Sequence, residues 1–75
     1  MEQLTLGERA LLLICCTDHS IAECRNCGCA VFLAHVYVYL SESPYCFCPR
    51  CGNDLTADVR AHARTCPIIK RRRAA

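Results

Sequence analysis

Apolar residues at the start of the chain recur with the period of a helix. Over residues 5–16 they fall at positions three or four apart: Leu6, Ala10, Leu13 and Cys16. Thr5 lies just before this stripe, and Glu8 lies three residues after Thr5, which is the spacing of a capping box. The sequence therefore predicts a first helix over residues 5–16 that is capped by Thr5.

The middle of the chain has the composition of β-strands. Residues 30–40 are rich in Val and Tyr, and they predict a strand that bends into a hairpin near His35. Its alternation would place His35, Tyr37 and Tyr39 on one strand face, where they could stack on unpaired bases. A turn at residues 41–44 and a short second strand at residues 45–47 complete the predicted β-structure.

A second helix is predicted near the end of the chain. Thr56 is a suitable N-cap, Asp58 in the first turn favours the helix dipole, and Pro67 should end the helix at about Cys66. Four residues are expected to form one stripe on the inward face of this helix: Leu55, Val59, His62 and Cys66. We expect residues 1–67 to form a single zinc-binding domain and residues 68–75 to be a basic flexible tail.

The cysteine content indicates that this small α+β fold is stabilised by metal. Nine of the 75 residues are cysteine, and a chain this short buries too little apolar surface to be stable without a further constraint. An odd number of cysteines and no export signal favour metal ligands in a cytoplasmic protein over disulfides. The apolar runs of the chain are too short to span a bilayer, so no interaction with a membrane is expected.

Two CxxCG turns are the most specific motif. CRNCG contains Cys24 and Cys27, CPRCG contains Cys48 and Cys51, and 20 residues separate the two pairs. Each CxxC turn brings two thiolates together, and two such knuckles can close a tetrahedral zinc site. This arrangement resembles zinc ribbons. The predicted order is an N-terminal helix, a zinc knuckle, a β-hairpin, a second knuckle and a C-terminal helix.

A second grouping uses some of the same cysteines. Cys48 and Cys51 are followed by His62 and Cys66 with the spacing C-x2-C-x10-H-x3-C, and this stretch is similar to CCHC fingers of the ββα kind. Because His62 and Cys66 are four residues apart on a helix, they face the same side. Cys24 and Cys27 would then need other partners, which Cys16 and His19 could supply. Both groupings remain open, with one or two Zn²⁺ ions.

The chain also resembles a group of small uncharacterised bacterial proteins. The shared pattern is a leading helix, a CxxC pair, and then CPRC followed by DLT, R, H and C, here Cys48–Cys51, residues 54–56, Arg60, His62 and Cys66. This resemblance implies that His62 and Cys66 belong to the shared metal site. The paired knuckles are also similar to those of phage-type zinc-finger regulators that bind RNA, and to the iron-binding knuckles of rubredoxins.

The charge distribution suggests that the partner is a nucleic acid. Residues 1–48 carry five acidic and two basic side chains, whereas residues 49–75 carry two acidic and seven basic ones. The candidate phosphate-binding residues are Arg50, Arg60, Arg64, Lys70, Arg71, Arg72 and Arg73.

The motifs do not suggest an enzyme. A closed four-ligand metal site is structural, and no nucleophile–base pair or phosphate loop is visible, so no catalysis and no small-molecule substrate are expected. The sequence favours a zinc-finger protein that binds nucleic acid as a regulatory accessory of transcription or translation. A protein-interaction adaptor, homodimeric through the apolar first helix, is the alternative, and an iron electron carrier is a remote one.

Overall fold

The computed structural model describes residues 3–74, with residues 73 and 74 described by their backbone alone. Within this part of the chain, four helices accompany a two-stranded antiparallel sheet. The elements are α1 (Leu6–Cys15), β1 (Ser20–Glu23), β2 (Ala30–Phe32), α2 (Leu33–Glu42), α3 (Thr56–Thr65) and α4 (Pro67–Ala74). The expected α+β architecture is broadly compatible with this arrangement.

The first helix confirms the prediction from its capping signal. The hydroxyl of Thr5 accepts a hydrogen bond from the Glu8 amide at 3.1 Å, and the Glu8 carboxylate accepts one from the Thr5 amide at 2.9 Å. These bonds satisfy two amide groups that a helix start otherwise leaves unpaired. Leu12 is fully buried, and Cys16 forms the C-cap of the helix.

The strand predicted over residues 30–40 is wrong for most of its length. Only Ala30–Phe32 are in a strand, and the chain then turns into α2, so the β-hairpin lies around the first knuckle rather than between the two knuckles. Leu33, Val36 and Leu40 are buried at helical spacing, and this burial outweighs the strand preference of the Val and Tyr residues. Val36 departs from helical geometry (φ −124°, ψ 17°), which kinks α2.

The second predicted strand is reduced to one isolated bridge between Phe47 and Asp54. The predicted helix near residue 56 is present as α3, with Asp58 in its first turn. Thr56, however, is not its N-cap. The Thr56 hydroxyl is buried and accepts a hydrogen bond from the Cys46 amide at 3.0 Å, while the Asp54 carboxylate accepts the Thr56 amide at 2.9 Å.

The segment expected to be a flexible tail is helical in the described residues. α3 ends at Thr65, as Pro67 predicts, and Pro67 then begins α4. The first position of a helix accepts proline because the amide there has no partner within the helix in any case. Ile69 is completely buried, and α4 packs against α1 and α3. The basic segment is therefore anchored to the core.

One apolar core connects the elements. Its largest fully buried side chains come from each helix and both strands: Leu12, Ile21, Val31, Leu40, Leu55, Val59 and Ile69. None of the described helices combines the length and hydropathy that crossing a bilayer requires.

Candidate metal centres

The two knuckles meet and form a cluster of four cysteines, here called centre I (Cys24, Cys27, Cys48 and Cys51). All four Sγ atoms lie within 4.8 Å of one another. Two of the sulfur–sulfur distances are 3.5 Å (Cys24–Cys51) and 3.6 Å (Cys27–Cys48). Four Zn–S bonds of about 2.3 Å in a tetrahedron place sulfur atoms about 3.8 Å apart. Centre I therefore has the dimensions of a tetrathiolate metal site.

Tight turns with a glycine at the end give centre I its shape. The Gly28 amide donates to the Cys24 carbonyl at 2.7 Å, and the Gly52 amide donates to the Cys48 carbonyl at 2.9 Å. Both glycines have positive φ, 73° and 79°, a conformation that other residues adopt at a cost. The glycine after each CxxC pair thus lets the chain turn back so that both sulfurs point the same way.

Hydrogen bonds favour the ionised form of the second knuckle. The side chain of Asn26 and the backbone amide of Asn53 hydrogen-bond to Cys51 and lower the pKa of its thiol to about 6. Hydrogen bonds from the Cys51 and Arg50 amides likewise lower the pKa of Cys48. Because the thiolate is the form that binds metal, these contacts prepare the knuckle for a cation.

A second cluster, centre II, consists of Cys16, His19, His62 and Cys66. The Nε2 atoms of its two histidines lie 3.3 Å apart, and the sulfurs of its two cysteines lie 3.9 Å apart. The nitrogen–sulfur distances are 3.4 Å (His62–Cys16) and 3.6 Å (His19–Cys66). A tetrahedral zinc site has edges of about 3.3 Å between nitrogens, about 3.6 Å between nitrogen and sulfur and about 3.8 Å between sulfurs. Centre II matches all three.

Centre II joins the end of α1 to the end of α3. Cys16 is the C-cap of α1 and His19 lies in the following loop, while His62 and Cys66 are one helical turn apart at the end of α3. Burial raises the pKa of Cys16 to about 12, with the Cys66 sulfur as a further cause, so a metal must displace a proton there. Burial and the nearby His19 lower the pKa of His62, which favours the neutral imidazole that binds metals.

Of the two groupings that the sequence left open, the structure brings the four-cysteine one together as a whole and divides the other. The knuckles pair with each other as in a ribbon, and the predicted CCHC set is divided, because Cys48 and Cys51 lie in centre I whereas His62 and Cys66 lie in centre II. The proposed set of Cys16 and His19 with Cys24 and Cys27 is divided in the same way. These two Cys/His-rich clusters could hold metal ions.

Three cysteines lie outside both centres. Cys15 and Cys46 are buried, and Cys29 is half-buried with its thiol directed at the Ala30 carbonyl at 3.4 Å. Burial, together with the nearby Asp54 charge, raises the pKa of Cys46 to about 12. These thiols pack within the fold or against its core.

The basic residues fall into two classes. Arg60 is directed at α1, where its guanidinium lies 3.3 Å from the Glu8 carboxylate, and Arg64 lies 3.9 Å from the same carboxylate. With only 18% of its side chain exposed, Arg60 does not fit the expected phosphate-binding role. Arg64 nevertheless keeps 60% of its side chain exposed. Arg50, Lys70, Arg71 and Arg72 are exposed as well, and the side chain of Arg73 lies outside the described residues.

The predicted aromatic strand face does not form. His35, Tyr37 and Tyr39 lie on α2 rather than on a strand. Tyr39 packs edge-on against Phe47 with ring centroids 5.6 Å apart, so its ring contributes to the fold instead of to a stacking surface.

Comparison with protein-family models, with curated proteins and with solved structures finds no match to this chain.

Proposed function

We propose that the protein is a non-enzymatic zinc-finger protein with two structural zinc ions, one in each centre. The observation that supports this most directly is the agreement of both clusters with tetrahedral zinc geometry. Each centre offers four protein ligands, which leaves no coordination position for water or a substrate. A set of two thiolates and two imidazoles, as in centre II, is typical of structural zinc.

Zinc in these centres would supply the stability that so small a core lacks. Centre I holds the β-hairpin to the second knuckle, and centre II holds α1 to α3. All nine cysteines are free thiols, which suits metal binding in a reducing compartment such as the cytoplasm. Metal binding and folding are then coupled, so a chelator that removes both ions should unfold the protein.

The proposed role of this scaffold is to bind nucleic acid through α4, as an accessory in regulation. This helix presents Lys70, Arg71 and Arg72 to solvent on an anchored element, and its sequence PIIKRRRA contains no acidic residue. Arg50, exposed on the second knuckle, adds a further positive charge. Such side chains bind phosphates with an affinity that decreases as salt increases.

Fluorescence anisotropy with random-sequence RNA and DNA oligomers, measured as a function of salt, tests this role. Replacing Lys70, Arg71 and Arg72 by alanine should reduce the slope of log K against log salt by about two to three, since each phosphate contact contributes about 0.7 to 0.9. The control is Arg25→Ala, which removes an exposed positive charge on the first knuckle, outside the candidate phosphate-binding residues. Equal binding by the triple variant and the wild type would contradict the proposal.

A specific observation also supports the adaptor alternative. Leu6 and Ile14 on α1 are 78% and 57% exposed, and a groove of about 290 Å³ lies between α1 and α2 beside Leu6 and Leu40. Exposed apolar side chains of this kind are typical of protein interfaces. Sedimentation equilibrium tests for a homodimer. A mass that rises with concentration in the wild type but not in Leu6→Ser/Ile14→Ser would favour this function.

Metal analysis separates both candidates from electron transfer. Native mass spectrometry should find two zinc ions per chain. Iron in centre I, with absorption in the visible range, would instead support the rubredoxin-like alternative.

A further inference from the structure

We propose that metal occupancy of centre II controls the order of α4, so that this centre acts as a metal-dependent switch for nucleic-acid binding. The inference about α4 rests on the proposed structural zinc, and its consequence for binding rests on the proposed role of α4.

Cys66 is the residue through which the two features are connected. It separates α3 from α4, and the Lys70 amide donates to its carbonyl at 2.9 Å in the first turn of α4. Its carbonyl thus accepts the first hydrogen bond of α4, which is the role of an N-cap residue. Cys66 therefore both supplies a sulfur to centre II and caps α4 through its backbone.

Little else holds α4 in place. The helix has eight residues, of which Ile69 is completely buried while Ile68, Lys70, Arg71 and Arg72 are exposed. An isolated helix of this length is unstable in water. Four successive positive residues, 70–73, add charge repulsion within the segment. Its stability must come from its attachment to Cys66 and from the packing of Ile69.

Centre II fixes both of these supports relative to the rest of the protein. It ties Cys66 to Cys16 at the end of α1, and α4 packs against both α1 and α3. Without a metal, only the core contacts and the ion pairs of Glu8 with Arg60 and Arg64 would keep α1 and α3 together. Centre I has no ligand on α1, α3 or α4. Loss of the metal from centre II should therefore release α4 selectively.

His19→Ala tests the inference because it removes a ligand of centre II in a loop and leaves the Cys66 sulfur intact. His35→Ala, at an exposed residue of α2, is the matched control. His19→Cys should restore a four-ligand centre. Native mass spectrometry counts zinc, hydrogen exchange measures amide protection, and anisotropy with a random-sequence RNA oligomer measures binding.

The expected result is one zinc in His19→Ala, at least a tenfold loss of amide protection in residues 68–72, and retained protection in the β1–β2 hairpin. RNA affinity should fall roughly tenfold, which corresponds to the cost of ordering about one backbone residue on binding. His19→Cys should reverse all three changes.

Two outcomes would overturn the inference. One is unchanged protection of residues 68–72 in a His19→Ala protein that has lost one zinc. The other is equal loss of protection in the hairpin, because centre II would then support the whole fold rather than α4. If the wild type binds zinc but not RNA, the proposed binding role fails, while the dependence of α4 on the metal is still measured.

Discussion

The order of the ligands along the chain predicts that the two centres strengthen each other. Cys16 and His19 of centre II come first, the four cysteines of centre I follow, and His62 and Cys66 of centre II come last. Centre I therefore closes a loop that lies inside the loop closed by centre II. If centre I is removed, the ligands of centre II must meet across a much longer free segment.

Loop-closure entropy gives the size of this effect. Forty-two residues separate His19 from His62. When centre I is formed, the free segments are the four residues between His19 and Cys24 and the ten between Cys51 and His62, so 14 in total. Shortening the free loop from 42 to 14 residues saves about 1 kcal/mol, or about fivefold in the zinc Kd of centre II. Since coupling between two binding events is reciprocal, centre I should gain the same factor from centre II.

The assay is a competition titration against a chromophoric zinc chelator, with native mass spectrometry to count the bound ions. Cys48→Ser/Cys51→Ser removes centre I, and Cys29→Ser is the control because Cys29 lies beside the first knuckle but outside both centres. The double variant should bind one zinc with a Kd at least fivefold weaker than centre II has in the wild type. A Kd within twofold of the wild-type value would refute the coupling.

Three stability predictions concern the rest of the fold, each measured as the unfolding free energy of the zinc-loaded protein at pH 7. Glu8→Gln should cost about 1–2 kcal/mol, because glutamine keeps the capping box but loses the charge that pairs with the arginines of α3; no loss would show that this pair is not stabilising. Leu12→Ala should cost about 2–5 kcal/mol because the side chain is fully buried, whereas Leu6→Ala at a 78% exposed position should change stability by less than about 0.5 kcal/mol. Gly28→Ala should destabilise the protein by about 1–2 kcal/mol because of its positive φ alone, since nothing lies within 4 Å of the added Cβ. Gly7→Ala within α1 should instead stabilise the protein by about 0.5–1 kcal/mol. A change of unfolding free energy with the same sign for both glycines would contradict this explanation.

Features that depend on neighbouring residues could be predicted from the sequence. The capping box of α1 needs only Thr5 and Glu8, and each knuckle needs only two cysteines and a glycine within five positions. Pro67 similarly determines where α3 ends. In each case the interacting groups are close in sequence, so the pattern contains the information.

Features that depend on tertiary packing could not be predicted in the same way. The Val and Tyr residues of the segment 33–42 favour a strand, and only the position of the core shows why Leu33, Val36 and Leu40 are buried as a helix. In α4 the basic residues suggest a flexible tail. A single apolar residue, Ile69, reverses that expectation because the α1 and α3 surfaces that bury it are distant in sequence.

The ligand grouping shows most clearly where local reasoning ends. Spacing identifies pairs of ligands well, because each pair lies within one turn or one helical repeat: Cys16 with His19, Cys24 with Cys27, Cys48 with Cys51, and His62 with Cys66. It does not determine which pairs combine, since four pairs allow three pairings into two centres. The strand β1 rules out one of them, because its four residues hold His19 and Cys24 at opposite ends, so these two ligands belong to different centres. Of the two pairings that remain, the folded chain adopts the nested one, in which the pairs at the ends of α1 and α3 meet each other.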